Sequence, residues 1–229
     1  MPAYRSSDEA EIRDAVVARL RERRPNARII HEINVSTFGP NRIDLIAVDV
    51  AEIIAVEIKS KKDKLDRLPA QIEAMKGVAH HVIVGLHEKF LVEKSTHIKA
   101  HHYERDGQYF MRHLPDDWKY DVSAWVYPEV RRCVDPEWQH DTLEKWYIPA
   151  PRLDIPLPEP ALDLLWRAEL YELCGHLRVA VGRRANMSEM VTSLRWQCAG
   201  KELTRGICTM LRMRRCVEAD PEIAEARAA

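Results

Sequence analysis

Residues 42–59, RIDLIAVDVAEIIAVEIK, are two short apolar runs joined by a turn-sized interval at Asp49–Ala51, and three charged side chains interrupt them. The pattern predicts a β-hairpin. Asp44 stands among Ile43, Leu45, Ile46 and Val48, while Glu57 and Lys59 interrupt Ile53, Ile54, Val56 and Ile58. If the strands are buried, each charge leaves water, and an unpaired buried charge costs more than a marginally stable fold can absorb. A cation shared by the two carboxylates removes the conflict, because carboxylates are the hard oxygen ligands that magnesium takes. Glu57 and Lys59 are two apart, so both point to one face of a strand, about 7 Å apart along it. An E-x-K triplet on a wet strand face would mean nothing; the apolar setting makes this one a candidate site.

The rest of the N-terminal half supplies a frame for that hairpin. Ser7 or Asp8 can cap a helix running to about Arg24, with Ile12, Val16, Val17 and Leu20 as its apolar stripe, ended by Pro25 and Asn26. Strands are expected over 28–35, 41–49 and 52–59, followed by a basic loop over 60–64. Asp66 is a candidate cap for the next helix, since Pro69 then falls in its first turn and Gln71 near its start. Residues 82–86 read as a short strand buried in a mixed sheet. Helix, three strands, helix and strand make an α/β sandwich, with the site where the hairpin strands diverge.

From Pro115 the composition changes, and eight of the 13 prolines lie between there and Pro160. The segment PAPRLDIPLPEP reads as an extended connector. Helical periodicity returns over 161–173, 186–198 and 201–215, with Asn186 and Glu189 at capping-box spacing. The expected organisation is a core over 1–127, a proline-rich linker over 128–160, a basic helical region over 161–217 and a frayed tail over 218–229.

The order acid, hairpin, E-I-K, basic loop and glutamine-bearing helix resembles the PD-(D/E)XK nuclease superfamily, with Asp44, Glu57 and Lys59 in its D, E and K places. The string EIKSKKDKLDRLPAQIEAM is similar to the sce-type group of uncharacterised bacterial proteins within it. The likeness spans about residues 8–127 and, more faintly, the helices after 161. Ile43 replaces the proline of "PD", which is not a ligand. The resemblance implies a restriction-endonuclease-like α/β/α core and Mg2+, or Mn2+, held by Asp44, Glu57 and the carbonyl of Ile58. Lys59 would orient water or stabilise developing charge, and Gln71 would position substrate. Glu11 looks closest to the superfamily's helical glutamate, though Glu9 and Glu32 are alternatives that spacing does not decide.

Composition limits the partners. The chain has 229 residues, 46% of them apolar, which argues against disorder, and 35 basic against 36 acidic side chains. Overall charge therefore announces no nucleic acid, and phosphate contacts must come from local clusters. Lys61, Lys62, Lys64 and Arg67 form one; Arg212, Arg214 and Arg215 end another, in a span from Arg178 with nine basic and two acidic residues. No run of 18 apolar residues and no signal-peptide core occurs, so a soluble, cytoplasmic protein without membrane contact is expected. Five cysteines without C-x-x-C pairing suit a reducing compartment and not zinc. Seven of ten histidines fall between His80 and His113, in no metal-binding pattern, and read as surface and core residues. The expectation is a metal-dependent nuclease, endo- or exonucleolytic, acting on DNA in a phage or defence setting, with a homodimer favoured if both strands are cut. The alternative is a non-catalytic nucleic-acid-binding or protein-interaction subunit of such an assembly.

Overall fold

The computed structural model describes residues 7–34, 42–96, 103–116, 118–128 and 146–223. Helix α1 (Ser7–Arg23) precedes β1 (Arg28–Asn34), β2 (Arg42–Val48) and β3 (Ile53–Lys59); α2 (Leu68–Lys76) leads to β4 (His81–His87), and β8 (Ser123–Tyr127) completes a five-stranded sheet of order β1-β2-β3-β4-β8. The first three strands are antiparallel neighbours, and β3, β4 and β8 run parallel. The fold is thus mixed α/β. The hairpin turn is closed by Asp49 N–H donating to the Glu52 carbonyl at 2.9 Å. All seven residues of β3 are buried, so its two charges are core residues.

Helices cover both faces of the sheet. Ile12, Val16, Val17 and Leu20 of α1 pack on Leu45, Ala47, Ile54, Val56 and Ile58. On the other face Leu68, Ile72 and Met75 of α2 pack on Ile46, Val48, Ile53 and Ala55. A second sheet, β5 (Val92–Thr96), β7 (Gln108–His113) and β6 (Tyr103–Arg105), had no forecast, because its strands carry too little apolar alternation to be read.

The C-terminal third is not a separate body. Helices α3 (Arg167–His176), α4 (Met187–Gln197) and α5 (Gly200–Met213) put Leu170, Leu173, Met190, Leu194, Ile207 and Leu211 into the same buried cluster as α2 and the sheet. Gly206 lets α5 approach α3 closely, since a Cβ would sit 2.4 Å from Leu173 Cδ1 and force that buried side chain to move. The Asn186–Glu189 capping box forms as expected. The proline-rich stretch also behaves as part of the fold where it is described. Trp146 and Ile148 join the α1-side core, Trp146 stacking on Trp125 at 5.0 Å, and the Pro149 carbonyl accepts from Arg24 at 2.6 Å. Of the expected frayed tail, residues 218–223 are described and 224–229 lie outside the described residues: His31 N–H donates to the Glu218 carbonyl, Asp220 N–H to that of Ile29, and Ala219 bridges Ile30, so the chain folds back along β1 there. Buried Arg28 ties this return to α5, its Nε donating to the Asp220 carbonyl at 3.0 Å and its Nη1 to the Leu211 and Arg212 carbonyls at the end of α5.

Candidate active site

Pairing between β1 and β2 runs regularly to His31↔Leu45 and resumes at Ile33↔Ile43, skipping Glu32 and Asp44. Glu32 has φ of 58°, a left-handed conformation unusual for a side-chain-bearing residue inside a strand. The break shows in packing. Ile30 and Ile33 share the α2-side core, as do Ile43 and Ile46, although residues three apart in a regular strand face opposite ways. Strain of this kind concentrates at functional sites. Here it turns two neighbouring carboxylates out of the alternation to a place that α1 can reach.

The group that reaches them is Arg13, 2% exposed. Its Nη2 donates to Glu9 Oε1 at 2.6 Å and Glu32 Oε1 at 3.0 Å and lies 3.9 Å from Asp44 Oδ1, while Nη1 donates to the Asp44 backbone carbonyl at 2.6 Å. Glu9, Glu32 and Asp44 bring one carboxylate oxygen each within 4.8 Å of one another. The acid supplied by α1 is therefore Glu9. Glu11, the residue favoured by resemblance, is exposed. Helical geometry explains the correction: Glu9 and Arg13 are four apart and share a face with the stripe begun by Ile12, whereas Glu11 lies about 200° round.

Asp44 Oδ2 accepts from the Ile58 N–H at 2.8 Å, which ties the acid to the end of β3. Beside it Glu57, 3% exposed, accepts on Oε1 from Lys59 Nζ at 2.7 Å and from Gln71 Nε2, and Gln71 Oε1 accepts from Lys59 at 2.8 Å. Asp44, Glu57, Lys59 and Gln71 are thus brought together as the sequence suggests. Pro69 in the first turn of α2 places Gln71, but the N-cap is Arg67 with no side-chain bond, so the capping role expected of Asp66 is not filled.

The second oxygen of Glu57, Oε2, is buried without a hydrogen-bond partner. Burial, and then the negative charge of Asp44, push the Glu57 carboxyl up to about 7, against the pull of Lys59. Burial raises Asp44 as well, although the Ile58 N–H and Arg13 oppose it. Two carboxyls held above their ordinary range, one with an orphaned oxygen, make a site short of positive charge. A hard divalent cation fits that donor set.

Around the loop from Lys59 to Gln71 the charges are positive and exposed. Lys61 and Lys62 pair with Asp8 at the start of α1, at 2.7 and 2.9 Å; Lys64 and Arg67 are exposed as well, and Lys89 donates to the carbonyls of Lys61 and Asp63. Ser60 and Asp63 brace the turn, the Asp63 carboxylate accepting from both the N–H and the hydroxyl of Ser60. The second basic cluster keeps its exposed members from Arg178 to Arg205 but loses two of the three arginines that end it. Arg214 is 5% exposed, with Nε and Nη2 donating to the two oxygens of Glu169, and Arg212 is 5% exposed too. Neither is available to a phosphate; Arg215 is exposed. His80 and His81 sit at the start of β4, with His80 Nδ1 accepting from Ile53 N–H and His81 lying 3.3 Å from Glu52, far along β3 from Glu57. His97, His101, His102 and Cys133 lie outside the described residues, and Cys174, Cys198, Cys208 and Cys216 are free thiols.

Among known families, the one described as Bacteriophage P4 protein cII matches residues 3–101, less than half of the chain. The matched span holds Glu9, Arg13, Glu32, Asp44, Glu57, Lys59 and Gln71, and leaves α3–α5 outside. No curated protein and no solved structure matches the chain. Among the described residues no helix is long and apolar enough to cross a membrane.

Proposed function

We propose that the protein is a metal-dependent phosphodiester hydrolase acting on nucleic acid, with DNA as the first substrate to test. The observation that carries this reading is the orphaned, buried Glu57 Oε2 beside Asp44, both carboxyls raised, with Lys59 fixed on the other oxygen. Asp44 and Glu57 would hold Mg2+ or Mn2+, which when bound would polarise the phosphate and acidify a water. Lys59, oriented by Glu57 and Gln71, presents an ammonium where charge develops on the phosphate. Lys61, Lys62, Lys64 and Arg67 would meet the phosphates on either side, a sequence-independent contact. The order α1, β1–β3, α2, β4 agrees with the restriction-endonuclease-like core that the resemblance to PD-(D/E)XK nucleases implies, and the cII match supports a phage setting. A second reading, a protein-interaction subunit of such an assembly, rests on Trp196, 84% exposed on α4 beside Arg195.

Purified protein is expected to nick DNA with magnesium or manganese and not with chelator, and Asp44→Ala or Glu57→Ala is expected to abolish the nicking. Cleavage at the wild-type level by either variant would sink the assignment. Lys59→Ala should lower turnover about 100-fold or more while calorimetry shows magnesium still bound, because an ammonium repels the ion and acts only on the transition state. Loss of magnesium binding in that variant would make the lysine a structural brace instead.

A further inference from the structure

A groove of about 400 Å³ opens between the outer edge of β1, from Ile30 to Asn34, and the chain at Leu164–Arg167 and Met187. One of its walls is Glu32, so it is continuous with the acid site. Above it Trp166 is 54% exposed, and its ring lies 4.3 Å from the guanidinium of Arg214. That guanidinium is gripped by both oxygens of Glu169, and the backbone N–H of Trp166 donates to the same carboxylate at 2.7 Å. The indole is thus a fixed plate with a cation on one face and open surface remaining. A large aromatic held rigid and half exposed suits a flat ligand.

The walls select which flat ligand. An added β-strand is disfavoured, because residues 218–220 already pair with Ile29–His31 and the left-handed Glu32 breaks the edge beyond them. A phosphate is disfavoured by the exposed carboxylates of Asp163 and Glu218. The same carboxylates accept from the amino groups of a base, and the Asn34 amide and Arg167 guanidinium add donors. We propose that the groove takes an unpaired nucleobase of the strand whose phosphate lies at Asp44 and Glu57, so that the substrate is single-stranded or locally splayed nucleic acid. This rests on the hydrolase reading and specifies its substrate.

The test is fluorescence anisotropy of one labelled oligonucleotide, single-stranded and as a duplex, with the full chain and calcium in place of magnesium. The single strand should bind more tightly. Trp166→Ala should weaken it about ten-fold and leave the duplex unchanged, while Trp166→Phe keeps most of the affinity. Met187→Glu puts a carboxylate into the groove without touching the Trp166–Arg214 stack. An acid is tolerated in the first turn of α4, so it should reproduce the loss even if Trp166→Ala misfolds. Unchanged single-strand binding by the folded variants, or wild-type binding that does not favour the single strand, overturns the groove. Cleavage of the same oligonucleotides with magnesium separates the two ideas. Trp166-dependent binding without cleavage leaves the groove standing and removes the hydrolase. Cleavage with unchanged KM in both variants does the reverse.

Discussion

Glu57→Gln is expected to stabilise the metal-free protein at pH 8, by up to about 3 kcal/mol, and to abolish its stabilisation by magnesium. The Glu57 carboxyl stands at about 7 in the fold against 4.5 ordinarily. A carboxyl raised on folding favours its protonated form, so its contribution is most favourable below pH 4.5 and is lost as pH rises through about 7. Two and a half pH units correspond to roughly 3 kcal/mol. Losing the partner of buried Lys59 would ordinarily be destabilising. The attraction of Lys59 is already contained in that raised value, however, and burial together with Asp44 outweighs it. Glutamine keeps an acceptor for Lys59 and removes the repulsion. Wild-type protein should therefore lose stability in chelator between pH 5 and 8, recover it with magnesium, and recover more as pH rises through 7, because only ionised Glu57 offers both oxygens. The variant should show a shallower pH slope and no recovery. Denaturant unfolding at pH 5 and 8, with chelator and with magnesium, measures all four corners. If the variant is the less stable protein at pH 8 in chelator, the Glu57–Lys59 pair stabilises the fold unaided and the pocket does not lack a cation.

Asp44, Glu57, Lys59 and Gln71 could be read in the sequence because each is placed by local periodicity: two residues per pleat in the hairpin, and a helix start pinned by Pro69. Glu32 could not be placed, since nothing in RIIHEIN announces a left-handed residue opposite Asp44. Arg13 left a signal that was legible in principle. It follows Ile12 on the buried stripe, four residues after an acid, but an arginine between apolar neighbours is read as solvated by default. The misassignment of Arg212 and Arg214 has the opposite cause. Counting charge along a helix assumes exposure, and the partner that buries Arg214, Glu169, lies 45 residues earlier. The same long-range pairing explains why the region after Pro160 looked separable, for its apolar stripes alone do not show that they close on the sheet of residues 28–59.

Arg13→Met should be the most damaging single change to the fold near the site, costing about 3–5 kcal/mol at pH 8, the range found when one member of a buried ion pair is removed. Methionine keeps most of the volume, so the loss is electrostatic. Three carboxylates within 4.8 Å would have one positive charge fewer, with Arg42 still 2.5 Å from Glu32, and the Asp44 carbonyl would lose its 2.6 Å donor. The sign of the pH dependence follows. Burial already raises the Asp44 carboxyl against the pull of Arg13, and without the guanidinium that opposition is gone, so the variant should regain stability as pH falls to 5. Arg13→Lys should recover only part of the loss, because one ammonium cannot reproduce a fork that spans Glu9, Glu32 and the Asp44 carbonyl. Cleavage should fall in both variants even where the protein remains folded, since Arg13 seats Asp44 through its backbone and not through contact with a substrate. A wild-type unfolding midpoint for Arg13→Met at pH 8 would show that the acid cluster holds its shape without the arginine. The strained Glu32 would then need support from elsewhere in β1 and β2.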